Sequence, residues 1–267
     1  MGTNIENTLE KGINSGPEIF SKENKIVFFS GVKGGCGCSF IVNCAAAYLA
    51  RTKSKNIVLF DLNNGKRDSR VIFNLADDSI RDIGDLDSDF KDIDISVLKR
   101  LVVNLDNSLN LVLPSLKFEK KRIFESGNLE LFFDILGKVF DLILVDFPFY
   151  LLSKDSFDFL EYPDKFVLIS QPDLIAVSNL EILIKNLCPE KITNRFVIVI
   201  NKFNIRPYIS PSRIINIIKY PIDTFIPYDR DIEYLYLTRG PFPIFKYNLR
   251  IVKSMGDFSE NLYNCLF

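Results

Sequence analysis

The chain has 267 residues, 47% of them apolar, enough to bury one generous α/β core. Its 33 basic and 34 acidic residues leave a net charge of −1, which argues against a protein whose main business is neutralising DNA phosphates or an anionic membrane. Histidine is absent, and the five cysteines (Cys36, Cys38, Cys44, Cys188, Cys265) are irregularly spaced, a pattern that suits a reducing cytoplasm and removes histidine-dependent general-base chemistry and most zinc sites.

Residues 1–24 are polar with a Gly16-Pro17 break and read as a flexible lead-in without a secretory leader; residues 25–267 form one expected domain. From Lys25 on, short β-branched and aromatic runs alternate with longer amphipathic ones. KIVFFS (25–30), NIVLFD (56–61), LNLVLPS (109–115), FDLILVD (140–146), KFVLIS (165–170) and RFVIVIN (195–201) are apolar on both faces, as strands of a helix-covered parallel sheet should be. Helical patterns occupy 39–51, 96–103, 128–139, 174–187, 210–218 and 248–263. The alternation predicts right-handed βαβ units in an α/β fold, a doubly wound, mostly parallel sheet with helices on both faces. The acidic stretch 77–94 reads as a solvated connection. The tail SMGDFSENLYNCLF has no basic face and reads as core-packed rather than membrane-bound. No apolar run reaches the ~18 residues of a spanning helix and neither end carries a lipidation signal, so a cytoplasmic protein is expected.

FFSGVKGGCGCSF (28–40) sits where the first strand should meet the first helix. Glycines there permit backbone conformations that aim successive N–H groups at an anion, and the helix N-terminus adds partial positive charge. Two apolar strands end in carboxylates, Asp61 and Asp146, and Ser39 offers a hydroxyl. Together these are the parts of a Mg²⁺-nucleotide site at the carboxyl ends of neighbouring strands. Cys36 and Cys38 form a C-x-C; with no histidine and no second pair nearby, a tolerated small thiol is the plainer reading than a metal site. A thiol at a helix N-terminus is expected to have a lowered pKa.

VKGGCGCS resembles the deviant Walker A loop of the MinD/ParA family of ATPases, with Lys33 on the signature lysine. VLFDLNNG resembles the family's switch I strand, Asp146 its Walker B acid, and ISQPDLIAVSN, VIVINKF and IPYDRDIEYLYLTRGPFPI later family segments. The resemblance implies an ATP- or ADP-binding P-loop fold over residues 25–267 with Mg²⁺. It implies a phosphate cradle of Gly34, Gly35, Cys36, Gly37, Cys38, Ser39 and Phe40, and a base pocket from Asn201, Pro227, Tyr228 and Asp229. Ser39, Asp61 and Asp146 would hold Mg²⁺, partly through water, and Lys33 and the residue at Asn63 would act in catalysis. It also implies a homodimer through the nucleotide face, with Lys33 reaching the other subunit's nucleotide.

Two departures matter. Cys38 replaces the P-loop lysine, and Asn63 replaces the second aspartate of switch I. Loss of the lysine is a habit of the CpaE/TadZ-like branch, which localises pilus or secretion machinery. Removing a charged hydrogen bond to phosphate costs roughly 1.5–3 kcal/mol, so ATP binding is expected to survive in weakened form, with hydrolysis harder to rescue. The expected function is an ATP-binding dimerising switch that recruits a protein partner of a pilus, secretion or flagellar assembly, in the cytoplasm or peripherally at a cell pole. The alternatives are an active ATPase of DNA partition or division-site placement, and a nucleotide-free pseudo-ATPase scaffold.

Overall fold

The computed structural model describes residues 24–75, 79–86, 93–117, 127–153, 162–187, 195–206 and 209–267. The lead-in expected over 1–24 lies, apart from Asn24, outside the described residues. Strands run over β1 (Lys25–Gly31), β2 (Ile57–Asp61), β3 (Val102–Asp106), β4 (Leu109–Val112), β5 (Leu142–Asp146), β6 (Lys165–Ser170), β7 (Phe196–Asn201) and β8 (Thr224–Ile226). They form one sheet in the order β3-β4-β2-β5-β1-β6-β7-β8. Every pairing is parallel except that of β3 with β4.

The helices are α1 (Cys38–Thr52), α2 (Asp68–Ile72), α3 (Ile95–Leu101), α4 (Asn128–Gly137), α5 (Leu174–Leu187), α6 (Pro211–Ile218), α7 (Arg230–Arg239) and α8 (Arg250–Asn264). Neighbouring residues on a strand face opposite sides, so Phe28 and Phe29 report on both layers. Phe28 stacks on Phe147 at 5.0 Å and meets Phe133 of α4 at 5.5 Å. Phe29 packs edge-on against Phe258 of α8 at 6.4 Å. The two helices therefore cover opposite faces, which is why β2 and β5 are buried at every position.

α8 lies against α1. A Cβ added at Gly256 would come 3.2 Å from the Tyr48 ring, and Lys53 pairs with Glu260 at 2.5 Å. Ile251, Val252, Met255, Phe258 and Leu262 are buried, so the tail is core-packed as its sequence indicates. Among the described residues no helix is long and apolar enough to cross a membrane.

Two strands and two helices escape the sequence pattern. β3 continues the apolar run of α3 without interruption, and its backbone turns extended at Val102 (φ −80, ψ 124), where a 3.6-residue period cannot show the change. β8 has three residues, too few for any period. α2 has five, and α7 carries a mixed polar and aromatic surface that resembles no clean stripe. The acidic stretch is also less solvated than expected: Asp82 is 6% exposed and pairs at 3.1 Å with Arg70, itself 5% exposed. Its carboxylate also accepts from Gly84 N at 2.8 Å, so the charge is buried with partners. Residues 87–92 lie outside the described set.

β1 stands between β5 and β6; the chain fills the β5 side of the sheet first and then crosses from β5 to β6 on the other side. The carboxyl ends of β1, β2, β5, β6 and β7 converge there, the position at which open α/β sheets bind ligands.

Candidate functional site

The loop after β1 is held by its carbonyls. Asn201, at the end of β7, donates to Cys36 O at 2.8 Å; Gln171, just past β6, donates to Gly35 O at 2.8 Å; Asn179 of α5 donates to Val32 O at 3.2 Å. Gly35 (φ 81) and Gly37 (φ 87) take left-handed conformations that residues with a Cβ avoid. At Gly37 a Cβ would also sit 2.4 Å from Asn201 Nδ2, whereas Cβ atoms at Gly34 and Gly35 would meet nothing within 4 Å. The loop is thus clamped behind and open in front. α1 begins at Cys38 with no side-chain cap and no acidic residue in its first turn, so its leading N–H groups face the opening uncompensated.

Asp61 and Asp146 are paired residues on adjacent parallel strands, 3% and 4% exposed. Burial, then the charge of Asp61, pushes the Asp146 carboxyl up to about 7, against hydrogen bonds from Ser39, Cys38 and Asn63. Cys38 Sγ donates to Asp146 Oδ1 at 3.3 Å. Burial and the neighbouring Asp146 raise the Cys38 thiol well above its ordinary value, so the lowered pKa expected of a helix-N-terminal thiol is corrected: desolvation outweighs the dipole. Asn63 donates through Nδ2 to Asp61 Oδ1 at 2.9 Å and to Asp146 O at 3.4 Å, and its own N–H reaches Asp61 at 2.8 Å. Ser69 of α2 donates a short hydrogen bond to the other Asp61 oxygen. Asp61 is saturated by these donors, yet burial still raises its pKa.

Lys33 lies against its own chain, bonding Gln171 Oε1 at 3.2 Å and pairing with Asp173 Oδ2 at 3.5 Å. Beside the loop opens a pocket with a narrow free interior of about 90 Å³. Gly37, Phe40 and Asn201 form its glycine-loop side, and Pro227, Tyr228 and Asp229 its far wall. Asp229 caps α7 by accepting from Asp231 N and Ile232 N at 3.0 Å each, and the Tyr228 hydroxyl donates to Glu233 at 2.8 Å. Tyr236 closes the floor, edge-on to Phe40 at 5.0 Å and accepting from Asn43 at 2.8 Å.

No family model and no curated protein matches the chain. Solved structures do. A ParA family ATPase from Chlorobium tepidum TLS superposes with a TM-score of 0.76 at 24% identity, over 89% of this chain and 99% of that one. The fold is that of the ParA and MinD ATPases. The MinC:MinD cell division protein complex of Aquifex aeolicus gives a TM-score of 0.70 at 20% identity, covering 90% and 96% of the two chains. The septum site-determining protein MinD of Pyrococcus horikoshii OT3, complexed with Mg-ADP, gives 0.67 at 17%, covering 90% and 95%.

On this fold the residues singled out in sequence gather at one place. Gly34, Gly35, Cys36, Gly37, Cys38, Ser39 and Phe40 form the loop and helix start; Asp61 and Asp146 lie beneath; Asn201, Pro227, Tyr228 and Asp229 line the adjoining pocket. Asn201 faces the pocket with its amide already engaged, Nδ2 on Cys36 O and Oδ1 accepting from Lys202 N at 2.9 Å. Asn63 turns toward the acid pair rather than the open front of the loop. Ser69 is not legible in sequence, because an isolated polar residue carries no period; Gln171 and Asn179 lie within ISQPDLIAVSN, legible there only as part of a later family segment and not as contacts of the loop. The available donors, a hydroxyl and two carboxylates, are hard oxygen ligands suited to Mg²⁺. Among the described residues no group of three or more His, Cys, Asp or Glu is arranged to hold a metal alone, so a cation here would need further oxygens from water or a ligand to complete its shell.

Proposed function

We propose that this chain binds Mg-ATP as a dimerising switch with weak or absent hydrolysis, and that it recruits or positions a cellular assembly of the pilus, secretion or flagellar type. The observation that carries the proposal is a preformed phosphate cradle, clamped from behind and open in front, in which a neutral thiol stands where a lysine is wanted. The phosphates lie against the N–H groups of Gly37 to Phe40, and the base enters the pocket between Phe40 and the Pro227–Asp229 wall. Ser39, Asp61 and Asp146 would hold Mg²⁺, partly through water, and the ion would supply positive charge to the phosphates when bound. Cys38 supplies no charge, and Asn63 is committed to Asp61, so neither the γ-phosphate nor an attacking water meets the groups that would speed its reaction. ATP brings two copies together over this face, where Lys33 trades its own Gln171 and Asp173 for the partner's nucleotide.

Titration calorimetry of the folded protein with Mg-ATP tests the site. The expected affinity is micromolar to sub-millimolar, one charged contact short of a tight site. No heat at millimolar Mg-ATP would overturn the proposal in favour of a nucleotide-free scaffold. Light scattering should show more dimer with ATP, and Lys33→Ala should abolish the difference. Salt-dependent DNA binding by the ATP form would instead favour the partition-type ATPase.

A further inference from the structure

Gln171 makes two bonds with one carboxamide. Its Nε2 donates to the Gly35 carbonyl at 2.8 Å, and its Oε1 accepts from Lys33 Nζ at 3.2 Å. A planar amide cannot move one end without the other, so the position of the Lys33 side chain and the shape of the loop tip are joined through a single group. We propose that Gln171 is a positioning residue that couples Lys33 to the phosphate loop: with Lys33 on the glutamine oxygen the Gly35 carbonyl is clamped, and withdrawal of Lys33 loosens the loop. Asp173 is a weaker tether. It pairs with Lys33 at 3.5 Å from a partly exposed position, while its other oxygen caps α5 by accepting from Ala176 N at 2.9 Å. The consequence for the site rests on the proposed nucleotide function; the coupling itself is a property of the free protein.

The test is a double-mutant cycle read by amide hydrogen exchange at residues 41–44 of the nucleotide-free protein, the first bonded amides of α1, of which Ile41 N donates to the loop carbonyl of Gly37 at 3.1 Å. Gln171→Glu keeps an acceptor for Lys33 and loses the donor to Gly35 O; Lys33→Met removes the ammonium and touches no loop carbonyl. Each is expected to speed exchange in this first turn by about 3- to 10-fold, the measure of one lost hydrogen bond. The double variant should be no faster than Gln171→Glu alone, since both changes break one connection. Asp173→Asn, which retains the helix cap, should change exchange by less than 2-fold, within the small worth of an exposed ion pair. Additive effects of the two substitutions, or an Asp173→Asn variant as fast as Lys33→Met, would overturn the coupling.

Calorimetry on the same proteins separates this inference from the function beneath it. A parent that binds Mg-ATP, with Gln171→Glu about 10-fold weaker at an unchanged melting temperature, supports both. A parent that binds nothing while the exchange cycle is non-additive removes the nucleotide function and upholds the coupling. A parent that binds with an additive cycle does the reverse.

Discussion

At the residue scale the site is organised around keeping two buried carboxylates tolerable, and Asn63 is central to that task. Its amide donates to Asp61, so Asn63→Asp would replace a donor at 2.9 Å with a second negative charge. The expected cost is about 1–3 kcal/mol, measured by urea unfolding at pH 7. Cys38→Lys places a cation against Asp146, so in its presence the penalty of Asn63→Asp should shrink; phosphate release should rise appreciably only in the double variant. A parent that already releases phosphate as fast as the double would show that neither residue limits turnover.

Asp146 has its own signature. Its folded-state pKa of about 7 lies above the ordinary aspartate value of 3.8, so between these values the folded protein holds a proton that the unfolded chain has released. Stability therefore falls as pH rises from about 4 to 7, and is recovered on acidification within that window, by about 1–4 kcal/mol. Asp146→Asn should flatten the slope and be the more stable protein at pH 8. Binding of Mg-ATP should release protons near neutral pH, read by calorimetry in buffers of different ionisation enthalpy. The glycines, the two strand-end acids and Ser39 could be found in sequence because each sits at a fixed offset from an apolar run. Asn201, Gln171 and Asn179 act as a clasp only because the topology brings together residues 136 to 165 positions apart in the chain.

Among the elements, the sequence shows those whose burial is uniform. β1, β2, β5, β6 and β7 announce themselves as unbroken apolar runs, since a strand covered on both faces has no polar side to confuse the pattern. β3 and β8 are edge strands with partly exposed residues, and α2 and α7 depend on tertiary partners more than on a stripe of their own. The same dependence marks the α1–α8 contact. Gly256 leaves α8 just enough room beside Tyr48, and Gly256→Val adds branches where a Cβ alone would already lie 3.2 Å from the ring. It should cost about 1–3 kcal/mol in thermal or urea unfolding, with Gly256→Ala much milder because the Tyr48 ring is only partly buried and can shift by a few tenths of an ångström. Equal stability of the Val variant and the parent would mean that this contact is looser than its geometry.

Across the whole molecule, the helix that follows the glycine loop is covered by a helix about 200 residues further along the chain. α1 spans residues 38–52 and its outer partner α8 spans 250–264. On a ribosome adding roughly 5–20 residues per second, the interval from residue 52 to residue 250 is about 10–40 s. During that time β1 and α1 exist as a nascent chain without the surface that Phe258 later supplies, and for the first part of it β1 lacks its neighbours β5 and β6 as well. The loop between β1 and α1 is clamped only once Gln171, Asn179 and Asn201 have followed it, so its shape depends on chain made long after its own residues.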